Sequence, residues 1–283
     1  MQMVFINRRV TALLFAFVAL LILSLALWAN DEPKVMTDLN NSVFNFQCEA
    51  HQAIGSLDNQ GQLSVSVWNI YKQQREGWEE QLSALNNASQ LVLLQEASLT
   101  PELKRYIQHA PLQVAMAQAF TLWDTVYGVM NLSKVSASHV CAYTANEPLI
   151  RFAKSGTLAF YPLSNDTSLL VVNLHGINFE WNLTHYKSQL EVLAAELTNH
   201  NGPIILAGDF NTWREERMKL VMQFAQRFSL IEANYNVDHR QTVFGYPLDH
   251  LFYRGLVLES AESQPTQSSD HNPITAHFVL AEK

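Results

Sequence analysis

The sequence predicts an α/β (α+β) domain: a four-layer sandwich of two packed mixed β-sheets flanked by helices, preceded by an N-terminal hydrophobic helix. Three observations predict it. Short apolar or alternating runs recur between helical stretches, but not in strict β-α-β alternation. Consecutive strand-like runs imply hairpins, hence mixed or antiparallel sheets packed face to face with helices outside. Polar residues of the kinds that do chemistry follow one buried run after another, and strand ends are where such groups converge.

The elements justify this in order. After Arg8 and Arg9, Val10 to Ala29 is apolar apart from Thr11 and Ser24, about the length that crosses a bilayer as a helix. Trp28 sits at its far end, and Asp31 and Glu32 follow. Positive charge before and negative charge after favour an N-in, C-out orientation, with the bulk of the chain outside the cytoplasm, in the periplasm of a Gram-negative cell. A cleaved signal peptide is the competing expectation. Leu27-Trp28-Ala29 is a mediocre cleavage site and the apolar run is long for such a signal, so a membrane anchor over residues 10–29 is preferred. The cytoplasmic alternative, a buried helix of the domain, would call for a polar stripe that this segment lacks. Residues 31–60 are rich in Asn, Gln and Asp and read as a polar linker with a short docked stretch at Val43 to Cys48. Residues 61–283 read as one globular domain, which carries every strand-end polar group considered below.

Within that domain Leu63 to Trp68 alternates with period two, a strand. Trp78, Leu82 and Leu85 follow at helical spacing, and Leu91 to Leu94 reads as a buried strand. Thr100 and Pro101 are the N-cap and first turn of another helix. Val126 to Leu132, Gly156 to Tyr161 and Leu169 to Leu174 are strands. Leu183 to His200 is one amphipathic helix, Pro203 to Ala207 a buried strand, and Arg214 to Arg227 a helix. Leu251 to Tyr253, Leu256 to Glu259 and Ile274 to Leu280 complete the strands.

The chain is 48% hydrophobic and 16% charged, enough to bury a sizeable core and unlike a disordered segment. Its net charge of −8 disfavours a clamp on duplex DNA, which would carry a basic face. The two cysteines, Cys48 and Cys141, form no CxxC pair, which disfavours a zinc-thiolate site or a thioredoxin-like motif. They could pair in an oxidising compartment; two ordinary buried thiols is the preferred reading.

Polar residues cluster at strand ends: Asn69; Gln95-Glu96; Asn173 and His175; Gly208-Asp209-Phe210-Asn211; Asp249; and Ser269-Asp270-His271-Asn272. Each alone has a structural explanation. Asp209 could cap the next helix, Asn211 could form an Asx turn, and a lone His175 is more often a satisfied, half-buried imidazole. The set, in its order and spacing, resembles the endonuclease/exonuclease/phosphatase superfamily over about residues 62–280. Val67-Trp68-Asn69-Ile70-Tyr71-Lys72-Gln73-Gln74-Arg75 resembles its bacterial YafD-type subgroup.

The chemistry agrees. Phosphate ester cleavage needs a cation on the phosphoryl oxygens, an oriented water and stabilisation of the leaving oxygen. Glu96 is a hard oxygen ligand suited to Mg²⁺ (or Mn²⁺), with Asn69 and Asp270 as further metal-site candidates. The resemblance implies that Asp209 activates the water and Asn211 donates to the phosphate. It gives His271, oriented by Asp249, a role at the phosphoryl group, and His175 a contact with phosphate or leaving group. Lys72 and Arg75 either meet substrate phosphates or are a solvated loop pair; His250 tunes or fills the site. The tyrosine of the apurinic endonuclease branch has no clear counterpart, and Tyr127 reads as core or loop. The expected activity is a divalent-metal-dependent phosphodiesterase or nuclease. The alternatives are a lipid or sugar phosphatase of the same fold, or a non-catalytic envelope binding protein. The substrate is a phosphate ester; no protein partner is legible.

Overall fold

The computed structural model describes residues 17–18, 32–39, 44–150 and 152–281. The membrane segment expected at residues 10–29 lies outside the described residues except for Phe17 and Val18, which are helical and exposed. Among the described residues no helix is long and apolar enough to cross a membrane.

Three short strands come first: β1 (Lys34–Met36), β2 (Asn45–Phe46) and β3 (Cys48–Ala50). They occupy part of the segment read as a linker over 31–60, with β2 and β3 at the short docked stretch expected there, while residues 51–60 hold no named strand. Val35 and Met36 are fully buried, a docked pair too short to show a period in the sequence. Then β4 (Gln62–Asn69) runs parallel to β5 (Leu91–Ser98) across helix α1 (Trp78–Ala88). Helix α2 (Pro101–His109) starts where Thr100 Oγ1 accepts the Leu103 N–H at 3.3 Å, the expected cap. Next come β6 (Gln113–Leu122), β7 (Thr125–Ser133), β8 (His139–Asn146), β9 (Ala153–Pro162) and β10 (Ser168–His175), each antiparallel to a strand before it: β6 to β1, β7 to β6, β8 to β3, β9 to β8 and β10 to β9.

The single helix read over 183–200 is broken into α3 (Thr184–Glu191) and α4 (Ala194–Asn199). It is followed by β11 (Ile204–Asp209), parallel to β10, and by α5 (Glu215–Arg227). Short β12 (Ile231–Glu232), β13 (Val237–Asp238), β14 (Thr242–Val243) and β15 (Tyr246–Pro247) lead into β16 (Asp249–Arg254), β17 (Leu256–Ser263) and β18 (Ile274–Leu280).

One sheet has nine strands in the order β13-β17-β18-β4-β5-β7-β6-β1-β2, and the other seven in the order β12-β16-β11-β10-β9-β8-β3. Their inner faces share a core containing Val65, Val67, Leu93, Val129, Val171, Ile205 and Leu251. The outer face of the smaller sheet packs with Tyr186, Leu190, Leu197, Val221 and Phe224 of α3, α4 and α5. The other outer face packs with Leu82, Leu85, Leu103 and Ile107 of α1 and α2. These are the four layers expected.

Burial also explains why the patterns differ. Strand β5 is a continuous apolar run because Leu91 and Leu93 face the inter-sheet core while Val92 and Leu94 face the helices. Each such buried side chain contributes about 1.5–3 kcal/mol.

Cys48 and Cys141 are joined by a disulfide that fastens β3 to β8. The preference for two separate thiols is thereby corrected: antiparallel register places the residues directly opposite each other.

Candidate active site

Register assembles the site. Leu174 pairs with Gly208, His175 with Asp209, and Asp209 with Asp249, so three neighbouring strands of the smaller sheet present His175, Asp209 and Asp249 in one row. From the larger sheet, β4 delivers Asn69 and β5 delivers Glu96 at the same end. His271 precedes β18, which lies beside β4. His271 is locked in place because its carbonyl accepts the Trp68 indole N–H at 3.0 Å and its own N–H donates to Ser269 Oγ at 3.1 Å.

Asp209 is the hub. Its Oδ1 accepts the Asn211 N–H at 2.9 Å, and its Oδ2 accepts from Asn69 Nδ2 at 3.0 Å, a bond between the two sheets. His175 Nε2 lies 3.5 Å and His271 Nε2 4.0 Å from Asp209 Oδ2. On the far side of His271, Nδ1 meets Asp249 Oδ2 at 2.7 Å. The Asn211 side-chain amide donates to Gly176 O at 3.0 Å, next to His175, and the residue holds φ of +52°.

Glu96 faces this row. A bulge in β5 between Leu94 and Ala97 puts Glu96 at φ of +54° and turns its carboxylate inward, with Oε1 3.7 Å from His175 Nε2. Its Oε2 accepts from the Lys72 ammonium. Lys72 lies in a tight turn in which Tyr71, Lys72 and Gln73 all have positive φ. Lys154 Nζ lies 2.7 Å from His175 Nε2.

The expected residues fare differently. Asn69, Glu96, His175, Asp209, Asn211, Asp249 and His271 come together, with Lys72 on Glu96. Arg75 turns away: it donates to Ser269 O and lies over the Tyr71 ring, bracing a loop. Asp270 has its carboxylate 3.4 Å from Ser269 Oγ. The trio Glu96, Asn69 and Asp270 is not the group whose ligand atoms crowd together. Among the described residues that group at this site is Asp209, Asp249 and His271, with ligand atoms within 4.8 Å of one another, close enough to hold a metal ion. Asn69 departs from the expectation because Tyr71 N–H already claims its Oδ1 at 3.0 Å. His250 is fully buried, bonded to Glu232 Oε1 at 2.6 Å and Thr212 Oγ1 at 2.7 Å, and so fills and braces the site from behind.

A model of the endonuclease/exonuclease/phosphatase family matches residues 66–271, which span every one of these groups. The chain belongs to that family. Its curated relatives include a UPF0294 protein of Vibrio vulnificus (strain YJ016), 42% identical over 252 residues that cover 88% of this chain and 89% of its own. Another is a UPF0294 protein of Yersinia pseudotuberculosis, 42% identical over 216 residues covering 76% and 83%.

Solved structures agree in fold. A Bacteroides vulgatus endonuclease/exonuclease/phosphatase superposes with TM-score 0.62 at 13% identity over 78% of this chain and 99% of that one. The human Nocturnin catalytic domain with bound sulfate gives 0.57 at 14% over 81% and 97%. A zebrafish (D. rerio) TDP2 complexed with single-strand DNA product gives 0.55 at 15% over 77% and 98%.

Electrostatics divide the members of this family site into charged and neutral. Burial pushes the Asp209 carboxyl up, and with the Asp249 charge beside it the value reaches about 6 despite nearby His271 and Lys154. Burial alone would depress His271, but the Asp249 carboxylate at hydrogen-bond distance overrides it and raises the imidazole to about 10. His175 moves the other way, well below its ordinary value, through burial and then the Lys154 and Lys72 charges. It is therefore neutral at pH 7. Burial works to raise Glu96, but Lys72 and Lys154 outweigh it and hold the carboxyl low.

Sequence reasoning missed Lys154 and Glu147. Lys154 stands two residues before the run read as a strand and carries no motif; only its place on β9 opposite β10 brings it to His175. Glu147, fully buried, accepts the Asn178 and Phe179 N–H groups at 2.5 and 3.0 Å and ties two rim loops together. Tyr127, read as core or loop, stacks on Phe120 at 5.0 Å and lines a cavity of about 270 Å³ with Lys72, Glu96, Lys154 and His175.

Proposed function

We propose that the chain is a divalent-metal-dependent phosphodiesterase that cleaves a phosphate ester with an activated water. One observation carries this: Asn69, Asp209, His271 and Asp249 form a continuous hydrogen-bonded and ionic row across both sheets, facing Glu96, Lys72, Lys154 and neutral His175. Asp209, ionised above about pH 6, takes the proton of a water whose oxygen bonds to phosphorus as the ester P–O bond breaks. Protonated His271 and the Asn211 amide stabilise the charge gathering on the phosphoryl oxygens. His175, beside Lys154, stands at the departing oxygen, which takes up a proton from solvent as it leaves, while the proton taken by Asp209 returns to solvent.

The donors fit Mg²⁺ or Mn²⁺. They are carboxylate and amide oxygens, and Asp249 Oδ1 is buried without a hydrogen-bond partner. Glu96 is the residue proposed to hold the ion, with Asp209 and Asp249 adjoining and Asn69 positioning Asp209 rather than ligating; the ion would supply charge neutralisation at the phosphoryl group. The Lys72 ammonium on Glu96 already shows that this carboxylate recruits positive charge.

Two features support a lipid or other small phosphate over duplex DNA: the net charge of −8 and the apolar lining contributed by Phe120, Phe152 and Phe179. A position outside the cytoplasm is part of the proposal. The charge asymmetry about residues 10–29 supports it, and so does the disulfide, since disulfides persist in oxidising compartments.

Hydrolysis of bis-(p-nitrophenyl) phosphate should need Mg²⁺ or Mn²⁺, stop on chelation, and fall on the order of 10²-fold or more in Asp209→Ala. Absence of turnover with soluble and lipid phosphoesters under both metals would transfer the assignment to a non-catalytic envelope binding protein.

A further inference from the structure

On loops at the mouth of the cavity stand large apolar side chains that are exposed among the described residues. Trp123, at the β6–β7 turn, is 88% exposed; Leu149 and Ile150, between β8 and β9, are 78% and 50% exposed; Phe179 and Trp181, after β10, are 49% and 75% exposed. Three separate loops carry them. The loops converge on one place, because Phe120, Tyr127, Ile150, Phe152 and Phe179 line the same cavity as Glu96 and His175. Glu147 fixes two of the loops to each other through the Asn178 and Phe179 N–H groups. Arg214 packs its guanidinium 4.6 Å from the Trp181 ring, an aromatic with an adjacent cation, as suits a boundary between apolar and charged phases. Contiguous exposed apolar surface of this kind marks an interaction site.

The chain's own path indicates what covers it. Strand β1 is antiparallel to β6, with Met36 opposite Met116 and Lys34 opposite Gln118. Tracing backward from Lys34 through Pro33 to Glu32 therefore moves toward Phe120 and the Trp123 tip. The described domain thus begins at the rim of the cavity, not at the opposite end of the sandwich. The apolar stretch Val10 to Ala29 ends three residues before Glu32, and the two described residues within it, Phe17 and Val18, are exposed. A segment suited to a bilayer leads, with almost no slack, into the face that carries the exposed aromatics.

We propose that Trp123, Leu149, Ile150, Phe179 and Trp181 seat the mouth of the active site on a lipid bilayer, so that the substrate is the phosphodiester of a phospholipid headgroup. The substrate assignment rests on the phosphoesterase reading above; the seating does not. The rim dips its apolar tips among the acyl chains near the surface, as amphipathic anchors do. Headgroup phosphates then stand at the level of Lys72 and Lys154 inside the cavity.

The test uses the full chain reconstituted into vesicles of phosphatidylethanolamine and phosphatidylglycerol. Thiol-directed nitroxide labels are placed singly at Trp123→Cys and Leu149→Cys, and at Asp166→Cys in the turn between β9 and β10 at the opposite end. Labels at 123 and 149 should be shielded from a water-soluble paramagnetic chelate and reached by oxygen, and the label at 166 should be open to the chelate. Equal chelate access at all three positions overturns the seating whatever the activity.

The double variant Trp123→Glu, Leu149→Glu supplies the functional arm. It should hydrolyse soluble bis-(p-nitrophenyl) phosphate in detergent like the parent, yet lose about tenfold or more of the rate on vesicle-borne phospholipid, since charge at an apolar anchor opposes insertion. An equal loss on both substrates, or on neither, sinks the proposal. A parent inactive on every phosphoester but with shielded labels would keep the seating and remove the phosphoesterase reading instead.

Discussion

His271 keeps its proton because Asp249 Oδ2 stands 2.7 Å from its Nδ1 in a buried setting that water does not screen. The sign of the consequence follows. A histidine raised to about 10 contributes stability that is fully present below its unfolded value and is lost as pH climbs through about 10. Asp209 has a raised value too, so its protonated form is the favoured one: its contribution is present below the unfolded carboxyl value and lost as pH rises through about 6. Catalysis needs the opposite form of Asp209 and the same form of His271. The expected kcat/KM profile on bis-(p-nitrophenyl) phosphate therefore rises through about pH 6 and falls above about pH 10. In Asp249→Asn the counter-charge is gone and burial governs His271, so the alkaline limb should move down toward neutrality. An alkaline limb that stays put in that variant would assign it to another group. His175 makes the complementary point. Its neutrality comes from burial first and then from the charge of Lys154, a residue with no motif around it, so sequence alone could name the histidine but not its charge state.

At the scale of elements, the site exists because two strands approach more closely than side chains normally allow. Gly208 in β11 has φ of +139°, and a Cβ placed there would lie 2.0 Å from Leu174 O in β10. That contact holds Asp209 beside His175. Gly208→Ala should cost on the order of 3 kcal/mol in urea unfolding and reduce activity with it; stability within experimental error of the parent would show that the strands separate freely.

Much of this level was legible in the sequence. Gly208-Asp209-Phe210-Asn211 and Ser269-Asp270-His271-Asn272 stand out because each follows or precedes an apolar run whose period gives the strand away. Strands β4, β5, β7, β9, β10, β11, β16, β17 and β18 of the two sheets were visible for the same reason, whereas β6 and β8, whose buried residues in the inter-sheet core are only Ala115, Ala117, Val140 and Ala142, were not. What was hidden depends on local backbone geometry. The bulge that aims Glu96 and the positive-φ turn that carries Lys72 to it leave no periodic mark. Nor does the break between α3 and α4, because Leu190, Leu193 and Leu197 stay on one buried face across it. Ligand choice was obscured similarly: Asn69 looks like a metal ligand until the Tyr71 N–H is seen on its Oδ1.

For the whole molecule, the decisive feature is the segment from Lys34 to Ala50. It adds β1 and β2 to the edge of one sheet, turns at Gln47 with φ of +52°, and adds β3 to the edge of the other. Gln47 O accepts the Ala142 N–H at 2.6 Å as the chain crosses. The strap thus covers an edge of each sheet, and exposed edges are sites of unwanted pairing. It is held by three short strands, too few to be stable alone, and by the Cys48–Cys141 disulfide. Joining residues 93 apart should stabilise the fold by about 4 kcal/mol through restriction of the unfolded chain, less any part regained if the strap frays on its own. Cys141→Ser, or reduction of the parent, should therefore lower the urea midpoint and open residues 32–50 to protease well before the β4–β18 body is cut. Soluble-diester activity should persist in the nicked protein, since every residue of the Asp209 row lies beyond the strap. Cleavage of the body at the same rate as the strap would mean that the two unfold as one unit, and the strap would then be core rather than a pinned edge.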